Sequence, residues 1–465
     1  MAACMSASHN LVSNFYFHNT MNHSPSTHRR SVIKLLTATA AAPLILPRSL
    51  FGANAPSKKI TVGCIGVGWQ GGINLSGFLN EGDCQVLAIC DVDEKHLQEA
   101  IDQVNNKYGN KDCKGYKNFR ELLARQDIDA VVISTPDHWH GLIAIAAANA
   151  GKDIFCEKPL SHTIGEGIAM VRAVRKNDRI WQTGSWQRSV ARFRWAVELV
   201  QNGYLGKVTR VEVGLPSGHT DFAGTANDKP DGSVPAGVDY EMWTGPAQMM
   251  PFNPCRFHKN WRWNNNTGGG QLMDWIGHHC DIAHWGLANP KFGCGPDDRI
   301  GPLELSATAE FPAKDAVWNT ATKFRIEAKY PNEVEMVIAG GHNDIEGGAK
   351  WIGPNGWVCV NRDKFTASNT QWIRDIQVLD KEGKLDIALY RSPGHIREFL
   401  DCIKSRKRTL TPVEIAHCSQ VPGHLGYIAA VTGRKLTWNT AKQEIIGDSA
   451  ASKLMQNTMR SPWKI

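Results

Sequence analysis

The chain has 465 residues, 42% of them apolar and 21% charged, and its 52 Lys+Arg against 45 Asp+Glu leave a net charge of +7. That composition excludes a collagenous, coiled-coil or mainly disordered protein, and the length predicts two or three domains, each able to bury its own core. The basic excess is too thin to imply nucleic acid, which calls for cations gathered on one face or stripe.

Much of the excess sits at the front, where Arg29, Arg30, Lys34, Arg48, Lys58 and Lys59 all precede the first acidic residue, Glu81. Paired arginines, an uncharged segment over 35–46 and the small-x-small run Ala53, Asn54, Ala55 form a twin-arginine export pattern. They predict a signal peptide over 1–55 and an exported, periplasmic protein that leaves the cytoplasm already folded. The apolar segment has 12 residues and contains Pro43, whereas a spanning helix needs about 20, so no stable membrane anchor is expected.

Short apolar strands are then predicted at 59–65, 85–90, 130–134 and 153–156, with helices at 71–80, 93–106, 140–150 and 165–176. This alternation predicts an α/β domain over 56–183 with a doubly wound parallel sheet. Past Thr183 the strands at 207–215, 303–311, 322–330, 333–339 and 356–362 have few helices between them. They predict a C-terminal α+β domain over 184–465 with an open, largely antiparallel sheet, ending in helices at 394–404 and 412–432. Such an open face suits a homo-oligomer. A long insertion over 216–302, rich in Gly, Asn, Trp and His and carrying one helix at 270–285, separates the first two of these strands; insertions of that length are usually functional. The 12 cysteines include no C-x-x-C pair. Cys64, Cys90, Cys156 and Cys359 lie in apolar strands and read as buried thiols.

Three motifs carry chemistry. Gly66, Val67, Gly68, Trp69, Gln70 and Gly71 follow the first strand and open a helix, and Asp91 ends the second strand. This is the Rossmann fingerprint: glycines for the tight turn and close approach to a pyrophosphate, a helix N-terminus for its charge, and a carboxylate for the adenosine ribose. An acidic residue with no Arg beside it favours NAD over NADP. Thr135, Pro136 and His140 follow the third strand and Glu157, Lys158 and Pro159 the fourth, at the carboxyl ends where open α/β sheets bind ligands. There a fixed lysine suits acid/base work on an alcohol or carbonyl. In the third motif, Gly268-Gly269-Gly270 opens a helix on which Asp274 and His278 share one face, so that the carboxylate is expected to orient the imidazole. Metal ligation by Asp274, His278 and Asp281 or His284 is the competing reading of this helix; no metal is expected. Gln187, Arg188, His258, Trp261 and Trp263 interleave aromatic and polar groups near the insertion, as a carbohydrate ring requires.

Taken together, G-x-G-x-x-G, E-K-P and G-G-G-x-x-x-D-x-x-x-H in that order resemble the Gfo/Idh/MocA family of glucose-fructose oxidoreductase and inositol dehydrogenase. The resemblance spans essentially everything after the signal peptide. It implies that Lys158, Asp274 and His278 line a sugar site beside the nicotinamide, and that the protein is an NAD-dependent oxidoreductase acting on a sugar, sugar derivative or cyclitol. Ile276 departs from the D-x-G-x-H of many relatives, and its side chain is expected to narrow the pocket or shift His278. Export adds a constraint: NAD bound before export must be reoxidised in place. Transfer of hydride between two carbohydrates meets it, and so does redox-neutral glycoside hydrolysis or elimination through transient oxidation. A non-catalytic sugar or nucleotide sensor is the third reading, which an intact Lys158, Asp274 and His278 set disfavours.

Overall fold

The computed structural model describes residues 59–219, 229–288, 300–313 and 315–465; the predicted signal peptide lies outside them. Alternating apolar strands and helices build the first layer: β1 (Ile60–Ile65), α1 (Gln70–Leu79), β2 (Cys84–Cys90), α2 (Glu94–Tyr108), β3 (Lys114–Tyr116), α3 (Phe119–Leu123), β4 (Ala130–Ile133), α4 (Asp137–Asn149), β5 (Asp153–Cys156), α5 (Ile164–Lys176) and β6 (Trp181–Thr183). All pairings are parallel, in the order β3-β2-β1-β4-β5-β6. The order reverses between β1 and β4, and that switch point is where such sheets open a ligand crevice. The outermost strands β3 and β6 have only three residues each, too few to show a period, and the sequence reading passed over both.

Next come α6 (Ala191–Gln201), β7 (Arg210–Leu215), α7 (Tyr240–Thr244), α8 (Gly270–Leu287), β8 (Glu304–Glu310), β9 (Lys323–Lys329), β10 (Glu335–Gly340), β11 (Gly348–Gly353), β12 (Gly356–Val360), β13 (Phe365–Ala367), α9 (Gln371–Glu382), α10 (His395–Ser405), α11 (Val413–Thr432), β14 (Leu436–Asn439), β15 (Glu444–Ile446) and α12 (Ser449–Lys453). The nine strands run β13-β12-β11-β7-β10-β9-β8-β14-β15, antiparallel except for the parallel pair β7 and β10. Alternate residues such as Val211, Val213, Ile326 and Ile338 turn to one face and pack under α6, α8 and α11. Gly423 lets α11 approach α8, since a Cβ there would lie 3.2 Å from Ile276 Cγ1. Ile276 is wholly buried in this core. It fills space against α11 instead of narrowing a pocket.

The C-terminal helices return to the parallel sheet. Ile396, Phe399 and Leu400 of α10 join Phe78 and Phe155 in one core cluster, the Phe399 ring lying 6.2 Å and 5.8 Å from the other two. All ten described cysteines are buried. No helix among the described residues is long and apolar enough to cross a membrane.

Candidate active site

The floor is the glycine loop. Gly66 has φ 79°, and a Cβ on it would lie 2.9 Å from the Ser134 carbonyl carbon; one on Gly71 would lie 2.1 Å from the Gly66 oxygen. Only hydrogen fits where the loops after β1 and β4 meet. Trp69 caps α1 without a side-chain hydrogen bond, and no acidic residue occupies the first turn, so backbone N–H groups there are free for an anion. Asp91 accepts from Val67 N at 2.8 Å and from Asp93 N at 3.0 Å. Burial pushes its carboxyl upward while these two bonds oppose the shift.

From that floor a cavity of about 740 Å³ runs from Asp91 and Asp93 past Gly66, Gly68, Trp69 and Gln70 to Lys158 and Asp274. Its roof is the insertion, whose Trp243, Phe252, Phe257 and Trp261 cluster over Val92 and Val238. At the far end Lys158 Nζ donates to Asp274 Oδ1 at 2.8 Å and to the Asp274 carbonyl at 3.0 Å. Arg262 Nε reaches the same carboxylate at 3.2 Å. Burial opposes ionisation of Asp274, but the neighbouring Lys158 and Arg262 outweigh it and hold the carboxyl well below the usual range. Glu157 accepts from Asn74 Nδ2 at 2.9 Å; burial pushes its carboxyl upward, against the Asn74 bond and the nearby Lys158 charge.

Asp274 does not orient His278 as its helical spacing suggested, because Lys158 and Arg262 occupy the carboxylate. His278 Nδ1 is buried with no hydrogen-bond partner. Burial, reinforced by Lys158 and Arg362, pushes the imidazole well below its ordinary range, so it is uncharged at neutral pH. The predicted Gly66, Gly68, Trp69, Gln70, Asp91, Thr135, Pro136, Glu157, Lys158, Asp274, His258 and Trp261 line the cavity together; Gly71 supports the loop from beneath. His140 is a brace, its ring nitrogens each 2.8 Å from the carbonyl oxygens of Thr135 and Pro159. Arg188 is tied bidentately to Asp281 at 2.7 and 2.9 Å, which removes both from substrate or metal binding. Gln187 and Trp263 are buried outside the cavity wall, Trp263 with its ring 4.6 Å from that of His219.

Sequence reasoning missed Arg262, Asn74 and Asp137. Arg262 stands between two tryptophans that drew the attention, and the partners of the other two come from distant loops. Asp137 is buried with Oδ1 unpartnered, and burial pushes its carboxyl well above the usual range. Among the described residues, the ligand atoms that come close enough for a metal are those of Asp93, His96 and His258, within 4.8 Å of one another; His258 Nε2 already meets Asp93 Oδ2 at 3.2 Å. A dinucleotide fits what is present: the glycine cradle, the uncapped α1, and Thr135 Oγ1, which is buried without a partner in a residue of the cavity wall.

Comparison with known proteins agrees. Residues 60–185 match the profile of an oxidoreductase family's NAD-binding Rossmann fold, and residues 191–465 that of its C-terminal α/β domain. Myo-inositol 2-dehydrogenase of Thermotoga maritima is 35% identical over 146 residues, 31% of this chain and 42% of that protein. A glycosyl hydrolase family 109 protein of Shewanella baltica is 34% identical over 173 residues, 33% of this chain and 38% of its own. The chain thus spans less than half the length of these relatives. Among solved structures, the WlbA dehydrogenase of Bordetella pertussis in complex with NADH and UDP-GlcNAcA superposes with TM-score 0.59 at 18% identity, covering 82% of this chain and 98% of that one. Myo-inositol 2-dehydrogenase of Lactobacillus plantarum gives 0.54 at 17%, covering 82% and 99%.

Proposed function

Because the chain belongs to the Gfo/Idh/MocA oxidoreductase family, we propose that it transfers a hydride between a retained NAD and a secondary alcohol of a sugar, sugar derivative or cyclitol. Bound NAD supplies the hydride acceptor, and its reduced form the donor. The observation that carries the reading is the Lys158 ammonium, pinned at the cavity end by Asp274 at 2.8 Å. The glycine loop would hold the pyrophosphate and Asp91 the ribose hydroxyls, and the carboxylates of Asp91 and Asp93 would repel a 2′-phosphate. In reduction the Lys158 ammonium gives its proton to the substrate oxygen, and in oxidation Nζ, having first lost a proton to solvent, takes one from the hydroxyl, while Asp274 fixes where that nitrogen stands. Uncharged His278, one turn along α8 from Asp274, can hydrogen-bond the hydroxyl without adding to the two cations, Lys158 and Arg262, already there.

The names of the relatives support a polyhydroxylated substrate: two are inositol dehydrogenases, and the WlbA complex holds a nucleotide-linked sugar. Absorbance of the purified protein with a panel of sugars and cyclitols tests the reading, since a substrate must raise or bleach the reduced-nicotinamide band. Protein that takes up no dinucleotide would refute it. A twin-arginine signal over 1–55 would export the folded protein with its cofactor aboard to the periplasm, where the open sheet face would pair copies into a homo-oligomer. Release of reporter protein from a fusion to residues 1–55 checks the first, and light scattering the second.

A second reading, redox-neutral glycoside cleavage, is favoured by the glycosyl hydrolase name among the relatives. It predicts liberated sugar with no net change in the nicotinamide band.

A further inference from the structure

The segment His258–Trp263, a 3-10 turn within the insertion, crosses the whole cavity. At the ribose end His258 Nε2 meets Asp93 Oδ2 at 3.2 Å. At the catalytic end Arg262 meets Asp274 at 3.2 Å. Between them Lys259 Nζ and Arg262 Cζ each lie 4.8 Å from the centroid of the Trp69 ring, and Trp69 stands inside the glycine loop, 50% exposed. Strap and loop thus face each other across the stretch where the pyrophosphate must turn.

The loop side offers that pyrophosphate no formal charge, because neither the glycine loop nor α1 contains Lys or Arg. Four Lys or Arg side chains line the cavity: Lys117, Lys158, Lys259 and Arg262. Lys117 is paired with Glu94 at 3.0 Å, and Lys158 and Arg262 share Asp274. Lys259 has no ion pair among the described residues, and its ammonium lies over the Trp69 face. An exposed ammonium held over an uncapped helix N-terminus is half of an anion site.

We infer that this strap is the second half of the phosphate site: Lys259, seconded by Arg262, binds the pyrophosphate of the dinucleotide from the side opposite the glycine loop. Trp69 is the rest on which both cations wait. The cofactor is then gripped between sheet and insertion, and it leaves only when the strap lifts. The inference rests on the dinucleotide reading of the cavity and is independent of the substrate.

Lys259→Met keeps the apolar stem on Trp69 and removes the charge, at an exposed position where folding is not at stake. Calorimetric titration of the full chain, stripped of dinucleotide, with ADP-ribose and with adenosine separates the possibilities. ADP-ribose affinity falls about tenfold in the variant, the size expected for one charge-assisted contact, and adenosine affinity is unchanged. Equal ADP-ribose affinity in both proteins overturns the inference, and so does a parallel loss for adenosine, which would make the strap a packing element. Wild-type protein that binds neither ligand overturns the dinucleotide reading itself.

Discussion

Two ion clusters in this protein, one buried and one part-buried, have nearly the same chemistry and opposite settings. On α6, Arg194 donates to both oxygens of Glu198 at 2.6 and 2.8 Å and to both of Asp380 at 2.8 and 2.7 Å, while Trp195 Nε1 and Arg391 add second bonds to Asp380 and Leu389 N one to Glu198. At the cavity, Lys158 and Arg262 meet on Asp274. Both aspartates are held well below the usual carboxylate range, Asp380 chiefly by the Arg194 bond and Asp274 by cations that overcome burial. A perturbed carboxylate therefore does not by itself mark a site. The difference lies around it. The first cluster is closed on itself, whereas the second opens on a cavity, with the unpartnered His278 Nδ1 one turn along α8 and the unpartnered Asp137 Oδ1 at the start of α4.

Substitution can break or sharpen that contrast. The largest effect belongs to Lys158→Met, for which turnover should drop about 10³-fold while dinucleotide affinity, read by calorimetry, is kept; wild-type turnover would reduce the Lys158–Asp274 pair to a second structural cluster. Arg194→Ala should do the reverse. It leaves buried Glu198 without a cation and Asp380 with Arg391 alone, at a cost of about 3 kcal/mol in urea unfolding, and leaves the turnover of the folded protein alone, so a selective loss of activity would erase the distinction. Ile276→Ala separates the two faces of α8, with about 2 kcal/mol of stability lost to a cavity against Gly423 and KM unmoved; a changed KM would mean that Ile276 reaches the substrate after all.

The smallest effect comes from a third, solvent-screened cluster. Asp83 accepts from Arg397 at 2.6 and 3.0 Å and pairs with Lys404; some burial opposes its ionisation, but these partners lower the carboxyl from 3.8 to about 2. Its contribution is present above pH 3.8 and disappears as the pH falls through about 2. Asp83→Asn should therefore cost 1 kcal/mol or less at neutral pH, after discounting for screening, with wild type and variant converging in acid unfolding curves. Curves that stay apart at low pH would assign the loss to packing.

How far the site was legible follows from what kind of signal each part leaves. The glycine loop, Asp91 and Lys158 could be read because strand, turn and helix put them at fixed offsets along the chain, and backbone geometry does the rest. Asp274 was found but given the wrong partner. Helical spacing brings His278 to the same face, yet a buried carboxylate goes to the nearest cations, and these arrive from residues 158 and 262. The strap was read only through His258, Trp261 and Trp263, as aromatic and polar groups for a sugar ring; a six-residue 3-10 turn has no hydrophobic period, so neither Lys259 and Arg262 nor the crossing of the cavity could be read from it. In the second sheet the parallel β7–β10 pair, the edge strands β13 and β15 and the inner strands β11 and β14 were equally silent, since pairing direction is set by the path of the chain and strands this short show little period.

The return of α10 to the first sheet bears on how the protein is made. Phe78 and Phe155 are synthesised early, but Phe399, the ring that completes their cluster, comes some 240 residues after Phe155. At roughly 5–20 residues per second that gap lasts on the order of 10–50 s. During it the parallel sheet has an open wound of aromatic surface, a natural target for a holding chaperone. The core closes only after α10 has emerged from the ribosome, so a chain broken off before that helix carries a visible mark of its incompleteness.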